Sequence, residues 1–185
     1  MRPDEVLFQN YIDGDEDGLR ELMERYGDSL TLYLNGYLHN LHDAEDLMIE
    51  AFARLVRAKP RLSGSTFRAY LFKTGRNLAT RFHVRKTKGH VFHLDDLERE
   101  PESGPLLESI VTTREQHRIL HLCMGKLEPE LREALWLVYF EGMSYEESAK
   151  IMNRKPKQLD YLLQKGKRLL RTELEREGVT NAEYS

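Results

Sequence analysis

The acidic residues near the start of the chain have the spacing of a calcium-binding loop. The EF-hand pattern D-x-D-x-D-G-x5-E, which surrounds Ca²⁺ with oxygen ligands, is matched by Asp13, Asp15, Asp17, Gly18 and Glu24. Only one such loop is present. The same stretch also fits a turn that starts a helix, where Asp15 or Asp17 would accept hydrogen bonds from the first free N–H groups. We favour the helix cap and predict no metal site here.

Histidine pairs suggest a second metal chemistry. His117 and His121 are four residues apart in a predicted helix, a spacing at which two imidazoles can share a metal ion. No carboxylate is clearly placed to complete the site, and the single thiol, Cys123, projects elsewhere. The sequence also shows no glycine-rich phosphate loop and no nucleophile beside a base. We therefore predict no metal, no cofactor and no active site.

Binding of a polyanion is the chemistry that the charges favour. Residues 61–90 contain eight Lys or Arg and no acidic residue, and residues 150–171 contain eight against Asp160 alone. Acidic stretches at 1–30 and 95–115 bring the net charge of the chain to −3. Two cationic blocks separated by an acidic one indicate two contacts with a polyanion, although two solvated helix faces would give the same pattern.

The composition limits the class of protein. The 185 residues suit one domain or two small ones, and a charged fraction of 32% favours a soluble helical chain. No apolar run approaches the ~18 residues of a membrane span, and no signal peptide opens the chain. A single cysteine fits a reducing compartment. These features predict a cytoplasmic protein with no membrane insertion.

The elements that must position these charges are predicted to be helices. Apolar periodicity places them near residues 3–12, 16–38, 43–58, 65–86, 106–126, 129–141, 144–152 and 155–177. Residues 95–105 are acidic, contain two prolines and show no apolar period, which is typical of a linker. We predict an all-α protein in which two small helical domains, 1–90 and 111–180, are joined by a flexible acidic linker at 91–110.

The downstream domain contains the pattern of a helix-turn-helix. Ser144 followed by Glu147 forms a capping box, and Asn153 tolerates the left-handed conformation that a tight turn requires. Pro156 suits the first turn of a second helix, because its missing N–H has no partner there. The second helix would enter a major groove, whereas an ordinary α-hairpin with a basic outer face remains the alternative.

The helix at 43–58 carries two apolar strips. Ala44, Met48 and Leu55 belong to a stripe at the spacing of a core-facing side. Ile49 and Ala53 belong to a second, narrower strip that carboxylates border. A spare apolar strip rimmed by acids suggests a protein-docking surface, and burial of both strips within the domain is the alternative.

The helix at 65–86 combines aromatic and basic residues. Phe67, Leu71 and Leu78 lie along one predicted core face, with Lys73 opposite. Cations beside Tyr70 and Phe72 could hold the backbone of a single strand while the rings stack on its bases. Aromatic residues at helical spacing are more often core, so we favour burial of these two rings.

Three segments together resemble one known family. The order DAEDLMIEAFARLVR (43–57), FRAYLFKTGRNLATRFHVRKTK (67–88) and LEPELREALWLVYFEGMSYEESAKIM (127–152) is similar to bacterial extracytoplasmic-function (ECF) sigma factors, and it covers nearly the whole chain. The resemblance implies a dissociable promoter-specificity subunit of RNA polymerase with two helical domains, called region 2 and region 4. Its implied partners are core polymerase and promoter DNA, and it allows an anti-sigma factor as a further partner.

The resemblance assigns roles to residues in three groups. The first group would dock on the clamp helices of the polymerase, and Ile49 and Ala53 are added to it from the apolar strip. It contains Asp43, Glu45, Asp46, Leu47, Ile49, Glu50, Phe52 and Ala53. Recognition and melting of the −10 element falls to Arg61, Ser63, Arg68, Lys73, Arg76, Asn77, Arg81, Arg85, Lys86 and Lys88. Reading of the −35 element, in a domain that also holds the polymerase flap, falls to Arg154, Lys155, Lys157, Gln158, Tyr161, Lys165 and Arg168.

The sequence departs from the family at several of these positions. Ile49 stands where the family usually has glutamine, Tyr70 where tryptophan is common, and Arg81 where aspartate is usual. Asp160 and Leu162 occupy positions of the second helix where basic residues are common, which leaves the promoter sequence open. A free-standing helix-turn-helix regulator is the alternative function, but it would not explain the acidic and apolar docking helix upstream.

Overall fold

The chain divides into two compact units, Met1–Leu97 and Glu98–Ser185. The computed structural model describes residues 2–62, 66–87 and 114–179, without the side chains of 66, 83–87 and 114–117. All regular structure in these ranges is helical, which confirms the predicted all-α class. The predicted linker at 91–110, the start of the predicted helix 106–126 and the end of the downstream domain lie outside the described residues.

The first unit contains four described helices, and their bounds are close to the predicted ones. They are α1 (Asp4–Ile12), α2 (Glu16–Leu38), α3 (Leu41–Ala58) and α4 (Thr66–Thr87). The described part of the second unit contains α5 (Arg114–Lys126), α6 (Pro129–Leu135), a π-helical turn (Trp136–Phe140), α7 (Tyr145–Met152) and α8 (Pro156–Arg176). The predicted helix 129–141 is therefore an α-helix that widens into a π-helical turn.

The acidic loop between α1 and α2 is a helix start. Asp15 Oδ1 accepts a hydrogen bond from the backbone N–H of Asp17 at 3.0 Å, so Asp15 caps α2. Asp13 accepts a hydrogen bond from Gln9, and Asp17 pairs with Arg20. No group of three or more His, Cys, Asp or Glu in the described ranges could hold a metal ion. Three of the carboxylates that match the EF-hand pattern, Asp13, Asp15 and Asp17, thus have partners within the chain.

A partly buried polar cluster ties α1 to α2. The Tyr26 hydroxyl donates to Asp4 Oδ2 at 2.6 Å, and Arg25 forms ion pairs with Asp4 and Glu21. Burial, followed by the hydrogen bond to Asp4, raises the pKa of Tyr26, so its hydroxyl stays protonated and keeps donating. The cluster fixes α1 against the side of α2.

Aromatic packing holds α4 in the core of the first unit. The Phe67 ring lies 5.6 Å from Phe8 and 6.0 Å from Tyr26, measured between ring centroids. Phe72 is fully buried and its ring lies 5.3 Å from Tyr33. Phe72 is therefore a core residue, as the sequence favoured, and not a surface on which a base could stack.

In the second unit, α8 approaches α6 closely at a glycine. A Cβ at Gly166 would lie 3.2 Å from the Leu135 side chain and 3.5 Å from the Leu131 carbonyl oxygen. Leu159 and Leu163 of α8 are fully buried, as is Leu131 of α6. The same buried stripe of α8 also packs α7, which produces the two-helix arrangement predicted for 144–177.

Gly18 allows a close approach of α2 to the backbone of α1. A Cβ at this position would lie 2.3 Å from the Leu7 carbonyl oxygen, a backbone atom that cannot move without shifting α1. We expect Gly18→Ala to lower the free energy of unfolding by roughly 1–3 kcal/mol, the usual cost of overpacking. Urea unfolding followed by circular dichroism measures this change.

Gly36 provides the matched control in the same helix. A Cβ at Gly36 would meet no atom within 4 Å, so Gly36→Ala should be neutral or stabilise α2 by up to ~1 kcal/mol through helix propensity. Equal effects of the two alanine substitutions would contradict the assigned role of Gly18.

Candidate protein-docking and nucleic-acid surfaces

The outer face of α3 presents an acidic and apolar strip. Asp46, Ile49, Glu50 and Ala53 follow the i, i+3, i+4, i+7 spacing of one helix face. Ile49 is 54% exposed, an unusual exposure for an isoleucine, and Asp46 is exposed beside it. The second apolar strip predicted for this helix is therefore exposed to solvent at Ile49.

Other residues predicted for docking lie around or beneath this strip. Asp43, Glu45 and Leu47 are partly exposed. Phe52 is only 2% exposed, because its ring faces the core together with Ala51 and Leu55, so Phe52 supports the strip from below and does not belong to its surface. Asn40 caps the helix by accepting a hydrogen bond from the Asp43 N–H at 3.0 Å.

Glu50 links the strip to two arginines. Its carboxylate accepts a hydrogen bond from Arg54 Nε at 2.7 Å and lies 3.4 Å from Arg57 Nη2. The hydrogen bond from Arg54 lowers the pKa of Glu50, so the carboxylate remains charged at neutral pH. No role was predicted for Arg54 and Arg57. They follow Glu50 by four and seven residues on the same helix face, a spacing that could have indicated these ion pairs.

The outer face of α4 carries an aromatic ring among polar and basic side chains. Tyr70, Lys73, Asn77 and Arg81 share this face, since they are separated by three or four residues. Tyr70 is 37% exposed, so the favoured burial of this ring is wrong, and Asn77 and Arg81 are exposed as well. A face with a ring, an amide and two cations but no carboxylate suits a nucleic-acid strand.

The remaining residues predicted for the −10 element are distributed differently. Arg61 is exposed in the segment that follows α3, whereas Arg68 and Arg76 are partly buried at the flanks of α4. Ser63 and Lys88, and the side chains of Arg85 and Lys86, lie outside the described residues.

An open cleft of about 440 Å³ lies between the end of α3 and α4. It is lined by Arg54, Arg57, Ala58, Tyr70 and Thr74. The Thr74 hydroxyl donates to the Tyr70 carbonyl oxygen at 2.8 Å, so this hydroxyl turns inward along the helix. Two guanidinium groups beside an exposed ring extend the cationic surface of α4 towards α3.

The predicted turn of the helix-turn-helix is confirmed in detail. The Glu147 N–H donates to Ser144 Oγ at 3.2 Å, and the Ser144 N–H donates to Glu147 Oε2 at 2.9 Å. Asn153 has φ = 53°, in the left-handed region, and Pro156 is the first residue of α8. The short turn therefore places α8 directly after α7.

The outer face of α8 carries most of the residues predicted for the −35 element. Lys157, Tyr161 and Arg168 share this face and are exposed, and Tyr161 has the highest exposure, 65%. Gln158 Oε1 accepts a hydrogen bond from the Lys155 N–H at 2.9 Å, so it caps the helix. The Gln158 amide nitrogen and the second lone pair of its oxygen can still reach a base.

Two further cations of this motif are held by carboxylates at the start of α6. Lys165 Nζ lies 3.3 Å from Glu128 Oε2, and Arg154 forms an ion pair with Glu130. Neither acid was predicted from the sequence, because pairs separated by 37 and 24 residues leave no local pattern. The basic edge of α8 is thus partly neutralised.

His121 lies in an aromatic cluster. Its ring centroid is 6.2 Å from Trp136 and 6.1 Å from Phe140, and these two rings stack on each other at 4.6 Å. Trp136 Nε1 donates to Glu141 Oε1 at 3.0 Å. The side chain of His117 lies outside the described residues, so the predicted absence of a shared metal site stays a prediction.

Two family descriptions match the chain. Sigma-70 region 2 matches residues 22–89, and Sigma-70, region 4, matches residues 117–170. Together these matches cover α4, most of α2 and all of α3 in the first unit, and the helix-turn-helix in the second. The chain belongs to the sigma-70 family as an ECF-type RNA polymerase sigma factor.

Curated relatives are similar along most of the chain. BldN of Streptomyces coelicolor is 28% identical over 149 residues, which are 76% of this chain and 54% of BldN. SigE of Mycolicibacterium smegmatis is 28% identical over 164 residues, which are 88% of this chain and 64% of SigE. The sigma-E factor of Escherichia coli is 29% identical over 159 residues, covering 81% and 83%. The chain thus spans less than two thirds of the length of BldN and of SigE.

Solved structures share the fold. CnrH, in complex with the cytosolic domain of CnrY, matches with a TM-score of 0.66 at 19% identity, covering 94% of this chain and 97% of that one. RpoE from Bartonella quintana, in complex with the anti-sigma factor NepR, matches with a TM-score of 0.64 at 18% identity, covering 84% of this chain and 96% of that one.

None of the described helices is long and apolar enough to cross a membrane.

Loss of the capping box should destabilise the helix-turn-helix. Ser144→Ala removes the acceptor of the Glu147 N–H, and we expect the free energy of unfolding to fall by about 1 kcal/mol. Thr172→Ala is the control, because the Thr172 hydroxyl only donates to the Arg168 carbonyl oxygen of its own helix. A matching loss in both variants, measured by urea unfolding, would argue against the cap.

Proposed function

We propose that the chain is a dissociable specificity subunit that binds core RNA polymerase and directs it to promoters. In this proposal the outer face of α3 docks on the clamp helices, the outer face of α4 recognises and melts the −10 element, and α8 reads the −35 element. The second unit also holds the polymerase flap. The subunit acts in the cytoplasm, and catalysis resides in the polymerase.

The proposal rests on one observation: the outer faces of α3 and α4, in the same unit, differ in chemistry. The α3 face is acidic and apolar, with Ile49 at 54% exposure, and suits a protein partner. The α4 face offers Tyr70, Asn77 and Arg81 to a nucleic acid, within a segment that has no acidic residue. Membership of the sigma-70 family supports the same division of labour.

A free-standing DNA-binding regulator would use the second unit alone. It would leave the exposed isoleucine and the carboxylates of α3 without a purpose, which is why we favour the polymerase subunit. Retention of core RNA polymerase by the immobilised full chain separates these two functions. A chain that bound promoter duplex tightly and ignored the polymerase would be the free-standing regulator.

An anti-sigma factor is a further proposed partner. Two solved structures that share this fold are a complex of RpoE with the anti-sigma factor NepR and a complex of CnrH with the cytosolic domain of CnrY. A factor that covered the α3 face would compete with polymerase for Ile49.

The docking proposal predicts the effect of a charge on the α3 strip. Ile49→Lys would place an ammonium group at the centre of a contact from which water is excluded, so the affinity for core polymerase should fall at least tenfold. Asp46→Lys should act in the same direction by reversing a charge. Fluorescence anisotropy of labelled chain titrated with core polymerase measures both effects.

Val6→Lys is the matched control for this experiment. Val6 lies on α1 and is 45% exposed, so it receives the same charge at an apolar surface position outside the strip. Unchanged polymerase affinity in folded Ile49→Lys and Asp46→Lys proteins would exclude docking through this face.

The two DNA faces should act at different steps. Asn77→Ala should leave the affinity of the holoenzyme for closed duplex intact but reduce promoter opening, because an extruded base loses a hydrogen-bonding partner. Permanganate reactivity of exposed thymines reports the opening, and a template with a pre-melted −10 region should recover most of the loss.

Gln158→Ala should produce the opposite pattern. Loss of a contact to one base should cost roughly 1–3 kcal/mol of duplex binding and relax the preference at that base pair, with opening of bound promoters unchanged. Because Gln158 also caps α8, the melting temperature of this variant must be measured alongside its DNA affinity.

Normal promoter opening combined with weak closed-complex binding in Asn77→Ala would refute the melting role of α4.

A further inference from the structure

Two carboxylates hold cations of α8 and of the turn that precedes it. Glu128 holds Lys165 with both oxygens, at 3.3 and 3.4 Å from Nζ, and Glu130 forms an ion pair with Arg154. Both cations belong to the set predicted to contact the −35 element. Both acids lie at the start of α6, which packs on α8 through Leu135 and Gly166.

These ion pairs contribute little to folding. The side chains of Glu128 and Glu130 are 67% and 49% exposed, and exposed pairs are weak because water screens them. Glu128 precedes the first residue of α6, but its side chain does not cap the helix. The positive end of α6 favours both acids by a small, screened amount, but this effect does not require either acid to pair with a cation of the α8 motif.

We propose that Glu128 and Glu130 act as internal substitutes for DNA phosphate and thereby weaken the binding of the second unit to duplex DNA. This inference rests on the proposed role of α8 in DNA binding. A carboxylate presents anionic oxygens to Arg and Lys much as a phosphate does. Each phosphate must displace a carboxylate that remains nearby and repels it.

The competition has a thermodynamic signature in the salt dependence of binding. A cation that exchanges a carboxylate for a phosphate neutralises less DNA charge on balance, so fewer condensed counterions are released. Because binding without sequence preference consists mainly of phosphate contacts, the two acids should suppress it strongly. The base contacts of Gln158 and Tyr161 do not depend on these carboxylates. DNA sequences that offer these base contacts therefore keep their higher affinity over other sequences.

The test measures binding of the full chain to a labelled duplex of arbitrary sequence by fluorescence anisotropy at several salt concentrations. The double variant Glu128→Gln, Glu130→Gln keeps the side-chain shapes and removes both charges. We expect roughly two- to tenfold tighter binding, the size of releasing two exposed ion pairs. The slope of log affinity against log salt should steepen by up to about 0.9 for each cation released.

Glu177→Gln is the control for the loss of one acidic charge, and it is compared with the single variants Glu128→Gln and Glu130→Gln. Glu177 pairs with Lys126 at 2.7 Å and lies 12 residues beyond Lys165, about 18 Å along a helix. This distance exceeds the Debye length of about 10 Å at 0.1 M salt, so Glu177→Gln should leave affinity and slope unchanged. Thermal melting of all variants checks that they are folded.

A double-mutant cycle identifies the cation that is released. The gain from Glu128→Gln should disappear when Lys165 is already alanine, because no ion pair remains to be broken. A gain that persists in the Lys165→Ala background, or an equal gain from Glu177→Gln, would overturn the proposal in favour of a general charge effect.

Two other outcomes also overturn the proposed role of Glu128 and Glu130. They differ in whether the DNA-binding role of α8 fails as well. If the parent chain binds duplex and the double variant binds with the same or lower affinity, the acids are not competitors, while the DNA-binding role of α8 stands. If neither protein binds duplex even at low salt, and the holoenzyme is indifferent to Lys157→Ala, the proposed role of α8 fails together with the inference.

Discussion

The packing of α4 against α2 is the contact on which the first unit depends. Gly75 has no side chain, and a Cβ there would lie 3.1 Å from Leu30 and 3.3 Å from Leu34, so the two helices fit with little space to spare. Phe67 and Phe72 are fully buried, and their rings pack against Tyr26 and Tyr33 on the α2 side of the helix. Once this side is fixed, the period of the helix decides which residues remain outside. The outer face of α4, with Tyr70, Asn77 and Arg81, is therefore a consequence of core packing.

The second unit follows the same logic with a different glycine. Gly166 lets α8 approach Leu131 and Leu135, which fixes Leu159 and Leu163 inward and leaves the cations outward. In both units, however, some of the outward cations are already paired with carboxylates. Glu50 holds Arg54 and Arg57 beside α4, as Glu128 and Glu130 hold the cations beside α8. The cationic surface of the second unit is thus weaker than the eight cations of residues 150–171 suggest.

Features determined by neighbouring residues were predictable from the sequence. The capping box at Ser144, the left-handed Asn153 and the helix start at Pro156 all depend on side-chain chemistry within a few residues. Apolar periodicity also places Phe52 on the core-facing side of α3, where it is buried. Pairing of Glu130 with Arg154 depends on how helices meet, which periodicity does not encode. The π-helical turn at Trp136–Phe140 was also missed, because the segment 130–141 contains no glycine or proline that would indicate a break in the α-helix.

The chemistry left on α8 determines how it could discriminate between sequences. Asp160 accepts a hydrogen bond from Gln164 at 3.0 Å, so an acid occupies one edge of the face while Lys165 on the other edge is held by Glu128. Between these edges, Lys157 and the 65% exposed Tyr161 project without a carboxylate partner among the described ion pairs. A tyrosine ring contacts a thymine methyl group without requiring a cation, and Gln158 can pair with an adjacent adenine. If α8 enters a major groove, base contacts must therefore supply a larger share of binding than phosphate contacts. Selectivity would then depend strongly on these few side chains.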